Sequence, residues 1–250
     1  MGISGGARRT WLKMTTYLRL VLEGPLLAFG GEAVDARGVI ADFPAASMLT
    51  GLLGNALGWR RSDRAALAHL QDRLHYAARI DREGSRLTDY QTAQIGRSDT
   101  GWTTRGMPEG RAGGAATYNA PHIRERDYDA DKRVVVALRL DPAGEPPSLS
   151  DLSAALDEPA RPLFLGRKPC LPAGRIGAGI IEADNLVAAL ESVPAPVGTT
   201  PTRMLLPDRE PREPSDEARP WSDQRNWQSG VHGGTRIVLI RSLAARREGN

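Results

Sequence analysis

Val134-Val-Val-Ala-Leu-Arg-Leu140 is the run on which the fold turns, the strongest strand signal in the chain. On its C-terminal side Pro142 to Pro147 forms a turn, and Ser148 or Ser150 caps a helix running through Leu156. On its N-terminal side, Arg82 to Asp131 has no hydrophobic periodicity and carries Gly101, Gly106, Gly110, Gly113 and Gly114 among arginines and hydroxyl residues. A loop of that length inside a compact domain is usually functional or disordered. Further upstream, Tyr76 to Asp81 reads as a strand and Ser62-Asp63 caps a helix carrying Leu67, Leu70 and Leu74. Met48, Leu49, Leu52, Leu53, Ala56 and Leu57 recur with helical spacing behind Phe43-Pro44, and Tyr17 to Glu23 alternates as a strand. The order strand, helices, strand, long loop, strand, helix predicts an α+β protein built on a ferredoxin-like split βαβ unit. Its helices would lie on one face of the sheet and leave the other free for ligands.

After Pro162 the texture changes. Ile176 to Ala183 and Arg236 to Arg241 read as strands, whereas 194–220 holds seven prolines and many charges and is expected to be extended, mobile or both. The reading divides the chain into a flexible extension over 1–16, a main domain over 17–165 with an insertion at about 82–131, and a small β-rich region over 166–250.

The single cysteine, Cys170, excludes an internal disulfide and a cysteine-based zinc cage. No stretch approaches the roughly 20 apolar residues that cross a bilayer, and Met1 to Met14 lacks the apolar segment of a signal peptide. A cytoplasmic protein without a membrane partner is expected. The net charge is +3, yet of 33 basic residues only Lys13, Lys132 and Lys168 are lysines. Arginine grips phosphate bidentately and stacks on bases. A GC-rich genome enriches the same residue, and the acidic residues are mixed through the chain, so composition leaves nucleic-acid binding open.

No phosphate loop, dinucleotide fingerprint, serine elbow or metal-ligand spacing is present, so neither a cofactor nor a metal is expected. His122, near Tyr118, Arg124 and Arg126, is the one candidate acid/base group. With an arginine it could serve metal-independent RNA cleavage, although a lone loop histidine is more often a surface residue. Gly51, Gly54 and Gly58 form one stripe on the first helix, which calls for close backbone approach by an RNA chain or by a strand in tight helix-on-sheet packing. In the long loop, Arg97, Arg105, Arg111, Arg124 and Arg126 offer phosphate contacts, and Trp102, Tyr118 and Tyr128 offer stacking faces. The same composition suits a protein-docking arm.

Four segments carry a family resemblance. Phe43-Pro-Ala-Ala-Ser-Met-Leu-Thr-Gly-Leu-Leu-Gly-Asn-Ala-Leu-Gly58, Leu87-Thr-Asp-Tyr-Gln-Thr92, Arg126-Asp-Tyr-Asp-Ala-Asp131 running into Val136-Ala-Leu138, and Phe164-Leu-Gly-Arg-Lys-Pro-Cys170 occur in register. Together they resemble the fifth Cas protein family of CRISPR-associated proteins, in its type I-E form, over about Tyr17 to Ile176. The resemblance implies an RRM-like palm of the RAMP superfamily with a protruding thumb, supplied here by the Arg82 to Asp131 insertion. It implies a non-catalytic subunit of the Cascade effector complex. The expected partners are the 5′ handle of the CRISPR RNA (crRNA), the Cascade backbone subunits and the large subunit, with target DNA met only through the complex. On this resemblance Asp89, Tyr90, Gln91 and Thr92 enter the thumb, Arg126 and Tyr128 leave it, and Arg167 and Lys168 form a basic turn, all toward RNA. Ser47 and Asn55 sit on the helix signature and either meet RNA or cap and pack. Type I-C relatives cut precursor RNA with a Tyr, Lys and His constellation, but here Ile123 and Arg124 follow His122 and no lysine stands beside it. An endoribonuclease of that kind and a purely protein-binding scaffold are the alternatives.

Overall fold

The computed structural model describes residues 14–31, 36–94, 101–102, 108–109 and 122–243. In chain order the elements are β1 (Thr15–Glu23), β2 (Leu26–Leu27), β3 (Arg37–Gly38), α1 (Ala46–Ala56), α2 (Arg64–Arg73), β4 (Leu74–Arg82), β5 (Ser85–Ala93), β6 (Gly101–Trp102) and β7 (Pro108–Glu109). They continue with β8 (His122–Ala130), β9 (Arg133–Leu140), α3 (Leu149–Asp157), β10 (Gly177–Ala183), α4 (Leu186–Glu191), β11 (Arg203–Pro207), β12 (Glu217–Trp221) and β13 (Arg236–Ser242).

Seven strands form one sheet in the order β10-β1-β9-β4-β11-β13-β12. The first four strands reproduce the split βαβ order: β9 lies between β1 and β4, and pairs antiparallel with both. Leu18, Leu20 and Leu22 stand opposite Leu138, Val136 and Val134, which stand opposite Tyr76, Ala78 and Ile80. These rows make the core against α1, α2 and α3. Helix α3 starts in a capping box in which Ser148 Oγ accepts from Asp151 N and Asp151 Oδ2 accepts from Ser148 N.

The opposite face of the sheet is not left free. Helix α4 covers part of it, packing Leu186, Ala189 and Leu190, with Val193 just beyond its end, on Tyr17, Ala77, Val135, Ala137 and Leu206. Val135 and Ala137 are therefore as buried as Val134 and Val136, and β9 reads as a continuous apolar run. The buried Arg79 guanidinium ties α4 down, donating to the carbonyls of Leu190 (2.9 Å) and Val193 (2.7 Å) while pairing with Asp81 (2.6 Å).

The C-terminal strands extend this sheet from the β4 edge, with β11 between β4 and β13. Within the proline-rich segment, 203–207 and 217–221 are extended as β11 and β12. Strand β10, assigned from sequence to the C-terminal region, is the fourth strand of the palm.

Strands β5 and β8 pair antiparallel from Ser85 opposite Ala130 to Ala93 opposite His122, so the insertion opens as a hairpin where the sequence shows no periodicity. Almost every residue of β5 is exposed, and a strand solvated on both faces has no apolar alternation to display. At the base, β2 and β3 pair with β8.

Candidate nucleic-acid interface

Helix α1 has no side-chain cap of its own at Ala45. The distant Asp223 supplies one: its Oδ2 accepts from Ala46 N (3.1 Å) and from the Tyr76 hydroxyl (2.8 Å), and pairs with Arg236 (2.7 Å). Burial first, and the Asp223 charge second among the raising effects, push the Tyr76 phenol well above its ordinary value despite Arg236. The loop following Asp223 is thereby held beside α1, and together they wall a groove of about 490 Å³.

The glycine stripe of α1 resolves into three cases. A β-carbon on Gly51 would meet nothing within 4 Å, so this position faces the open groove. On Gly54 it would approach Leu67 Cδ2 to 2.8 Å, so here α2 packs close. Gly58 takes φ +81° and ends the helix, its N–H donating to Asn55 O (3.1 Å).

Ser47 and Asn55 both line the groove. Ser47 is buried, and its backbone N–H donates to Asp223 O (2.9 Å). Asn55 donates to Pro162 O (2.8 Å) and accepts from Arg161 (3.4 Å), and Arg161 also donates to the carbonyls of Gly58 and Trp59 at the C-terminal end of α1. Asn55 and Arg161 thus brace the groove wall from within.

The thumb hairpin separates its candidates by face, since directly opposed residues share a side and neighbours alternate. Asp89 opposes Arg126 and Gln91 opposes Arg124, so these four share one face. Gln91 Nε2 donates to Asp89 Oδ2 (2.5 Å) and Arg124 to Ile123 O (2.8 Å), while Arg126 is exposed with no partner among the described residues. Tyr90 and Thr92 lie on the other face with Glu125 and Ile123. The sequence block Asp89 to Thr92 therefore does not act as one patch.

Tyr128 is a correction to the sequence reading. It is 4% exposed and belongs to the core, so it is not a stacking surface for bases. It shares the face of Arg126 and Arg124, and Arg167 lies over its ring, 5.0 Å from the centroid. Arg167 donates to the carbonyls of Asp127 (2.8 Å) and Gly38 (2.9 Å), which makes it a brace between the basic turn and the thumb base. The turn seats there because Gly166, at φ +100°, passes so near Ala28 O that any side chain would collide. Arg167 also lines the groove, so the thumb face bearing Arg124 and Arg126 leads onto it. Lys168 is exposed and without a partner among the described residues. Arg97, Arg105, Arg111 and Tyr118 lie outside the described residues. His122 opens β8 opposite Ala93, but its side chain lies outside what is described.

Sequence reasoning missed Trp59, Arg60, Arg61, Arg161, Arg225 and Trp227, all on the groove. The signal available for them was Gly51, whose missing side chain makes room on the helix that Trp59, Arg60 and Arg61 follow. Many other arginines are engaged with acids: Arg86 with Asp129, Arg133 with Glu23, Arg203 with Asp42 and Glu83, and Arg241 with Asp216. Their abundance therefore overstates the surface available to phosphate. Among the described residues, no three His, Cys, Asp or Glu side chains are grouped to hold a metal ion.

Comparison with known proteins returns a consistent set. A family model described as CRISPR-associated protein (Cas_Cas5) matches residues 17–239. The CRISPR system Cascade subunit CasD of Escherichia coli (strain K12) is 30% identical over 185 residues, spanning 71% of this chain and 76% of that protein. A chain of a CRISPR RNA-guided surveillance complex superposes with a TM-score of 0.61 at 22% identity, covering 91% of this chain and 89% of that one. A structure titled Crystal structure of Cas protein gives 0.58 at 26% identity, covering 91% and 93%.

Proposed function

The chain belongs to the Cas5 family of CRISPR-associated proteins, and from that premise we propose that it is the crRNA-binding subunit of a Cascade surveillance complex, holding the 5′ handle of the guide RNA. The observation that carries this reading is the disposition of Arg126. It stands exposed and without a partner among the described residues, on the thumb face that leads over Tyr128 and Arg167 into the groove beside Gly51. An unpaired guanidinium leading to a groove suits a polyanion that follows the surface. The exposed ammonium of Lys168 adds a second cation beside that path.

Arg126→Ala should weaken binding of handle RNA and lower the slope of log K against log salt by about 0.7, the value for one phosphate contact on a single strand. Its melting temperature should stay unchanged, because the exposed Arg126 side chain makes no hydrogen bond or ion pair among the described residues. Unchanged affinity and unchanged assembly with the backbone subunits would sink the reading.

We also propose that the subunit is not itself a nuclease. Metal-free incubation of the purified protein with precursor repeat RNA should leave the RNA intact. A discrete product that disappears in His122→Ala would establish the endoribonuclease alternative instead.

A further inference from the structure

A second recess opens where the α1–α2 turn meets the loop 225–230. It holds about 250 Å³, and its wall includes Arg61, Arg64, Arg225, Ser62, Ser229 and Trp227, with no acidic residue. Asp63, the carboxylate nearest in sequence, accepts from the backbone of Arg60 (2.7 Å).

Two guanidinium groups converge here. A β-carbon on Gly230 would lie 3.5 Å from Arg225 Nη2 and 3.8 Å from Arg61 Nη2. Neither arginine has a carboxylate partner among the described residues. Arg225 is held in place: it donates to Gly230 O (2.7 Å) and lies over Trp227, 5.5 Å from the ring centroid. The buried Gln71 fixes both, accepting from Arg225 N (3.0 Å) and Trp227 Nε1 (3.1 Å) and donating to Arg225 O (3.1 Å). Burial, and then the charge of Arg61, push the Arg225 guanidinium below its ordinary value. Two like charges in a fixed recess with hydroxyls beside them and no acid are stabilised by an anion between them. Guanidinium groups match the oxygens of a phosphate best. Arg61, Arg225 and Trp227 also line the α1 groove, so the recess opens onto it.

We propose that this recess is a phosphodiester subsite, in which Arg61 and Arg225 grip one phosphate of an RNA strand lying in the α1 groove. The proposal rests on the RNA-binding reading above and locates a grip that the thumb does not provide.

The full-length chain is titrated with single-stranded handle RNA at several salt concentrations, and separately its melting temperature is followed with added inorganic phosphate. Arg61→Ala, whose side chain bonds to nothing in the described protein, is the primary variant. Arg225→Ala is the second and Arg61→Lys the conservative control. Support would be a loss of about tenfold in RNA affinity with a salt slope lowered by about 0.7 in each alanine variant, the slope being retained in Arg61→Lys. Equal RNA binding by wild type and both alanine variants would overturn the subsite and leave the proposed function standing. No RNA binding by wild type, with a phosphate-dependent rise in melting temperature that Arg61→Ala abolishes, would make this a free-anion site, overturning both the subsite and the RNA reading. No response to either probe would likewise overturn both.

Discussion

Gly51 shows how much a single missing side chain can reveal. In a helix interior glycine is about 1 kcal/mol worse than alanine, and at Gly54 tight packing on Leu67 accounts for the choice. At Gly51 nothing among the described residues does, because a β-carbon there points into open space. Gly51→Ala should therefore raise stability by about 0.5–1 kcal/mol in chemical denaturation while weakening RNA binding, since a methyl group would occupy the groove wall. A variant that gained stability and bound RNA as well as wild type would show that no backbone approaches this face. The stripe was visible in the sequence, but its three glycines share one helical face and serve different ends. Only the surroundings separate helix packing, helix termination and groove. Tyr128 failed as a site residue for a related reason: the motif identified its position, but burial beneath Arg167 is a property of the third dimension.

At the scale of elements, what could be read depended on whether an element buries a face. Strands β1, β4, β9 and β13 and helices α1, α2 and α3 bury leucine, isoleucine, valine or alanine and were legible. The β5–β8 hairpin buries little and left no periodic trace, whereas α4, only six residues long, was passed over although Leu186, Ala189, Leu190 and Val193 follow helical spacing. The junction between thumb and palm is instead written in charge. Arg203, on β11, donates to Asp42 (2.7 Å) and Glu83 (2.9 Å), joining the C-terminal strands to the residue where the thumb begins. Burial is the largest single effect and raises both carboxyls, but the bond to Arg203, its charge and the Lys132 charge together outweigh it, joined at Asp42 by Arg86 and at Glu83 by the Thr202 hydroxyl, and hold both below their ordinary values. Groups with depressed values stabilise the fold above about pH 4 and lose that contribution as pH falls through their folded values. Arg203→Ala should thus cost about 1 kcal/mol at pH 7, given the partial exposure of the pair, and flatten the acid limb of the stability profile below pH 4. An acid limb identical to wild type would show that other carboxylates govern it.

For the molecule as a whole, the first helix and the last quarter of the chain are one construction. Asp223 caps α1, Gln71 seats Arg225 and Trp227, and β13 joins the palm's sheet through β11 while its Arg236 lies over the Tyr76 ring. The family motifs end near Ile176, so nothing in them announced that the groove's second wall comes from residues 223–232. Removing residues 222–250 should leave α1 uncapped and Tyr76 without its carboxylate partner. Proteolysis should then cut α1 in the truncated chain but not in the full one, and equal protection would refute the dependence. One consequence concerns time. A ribosome releases the chain from its amino end, and α1 is made long before the carboxylate that completes it. A nascent chain thus carries the motif-bearing half of the protein without the groove's far wall. If the proposed function holds, capture of guide RNA at that groove has to wait for nearly the whole polypeptide.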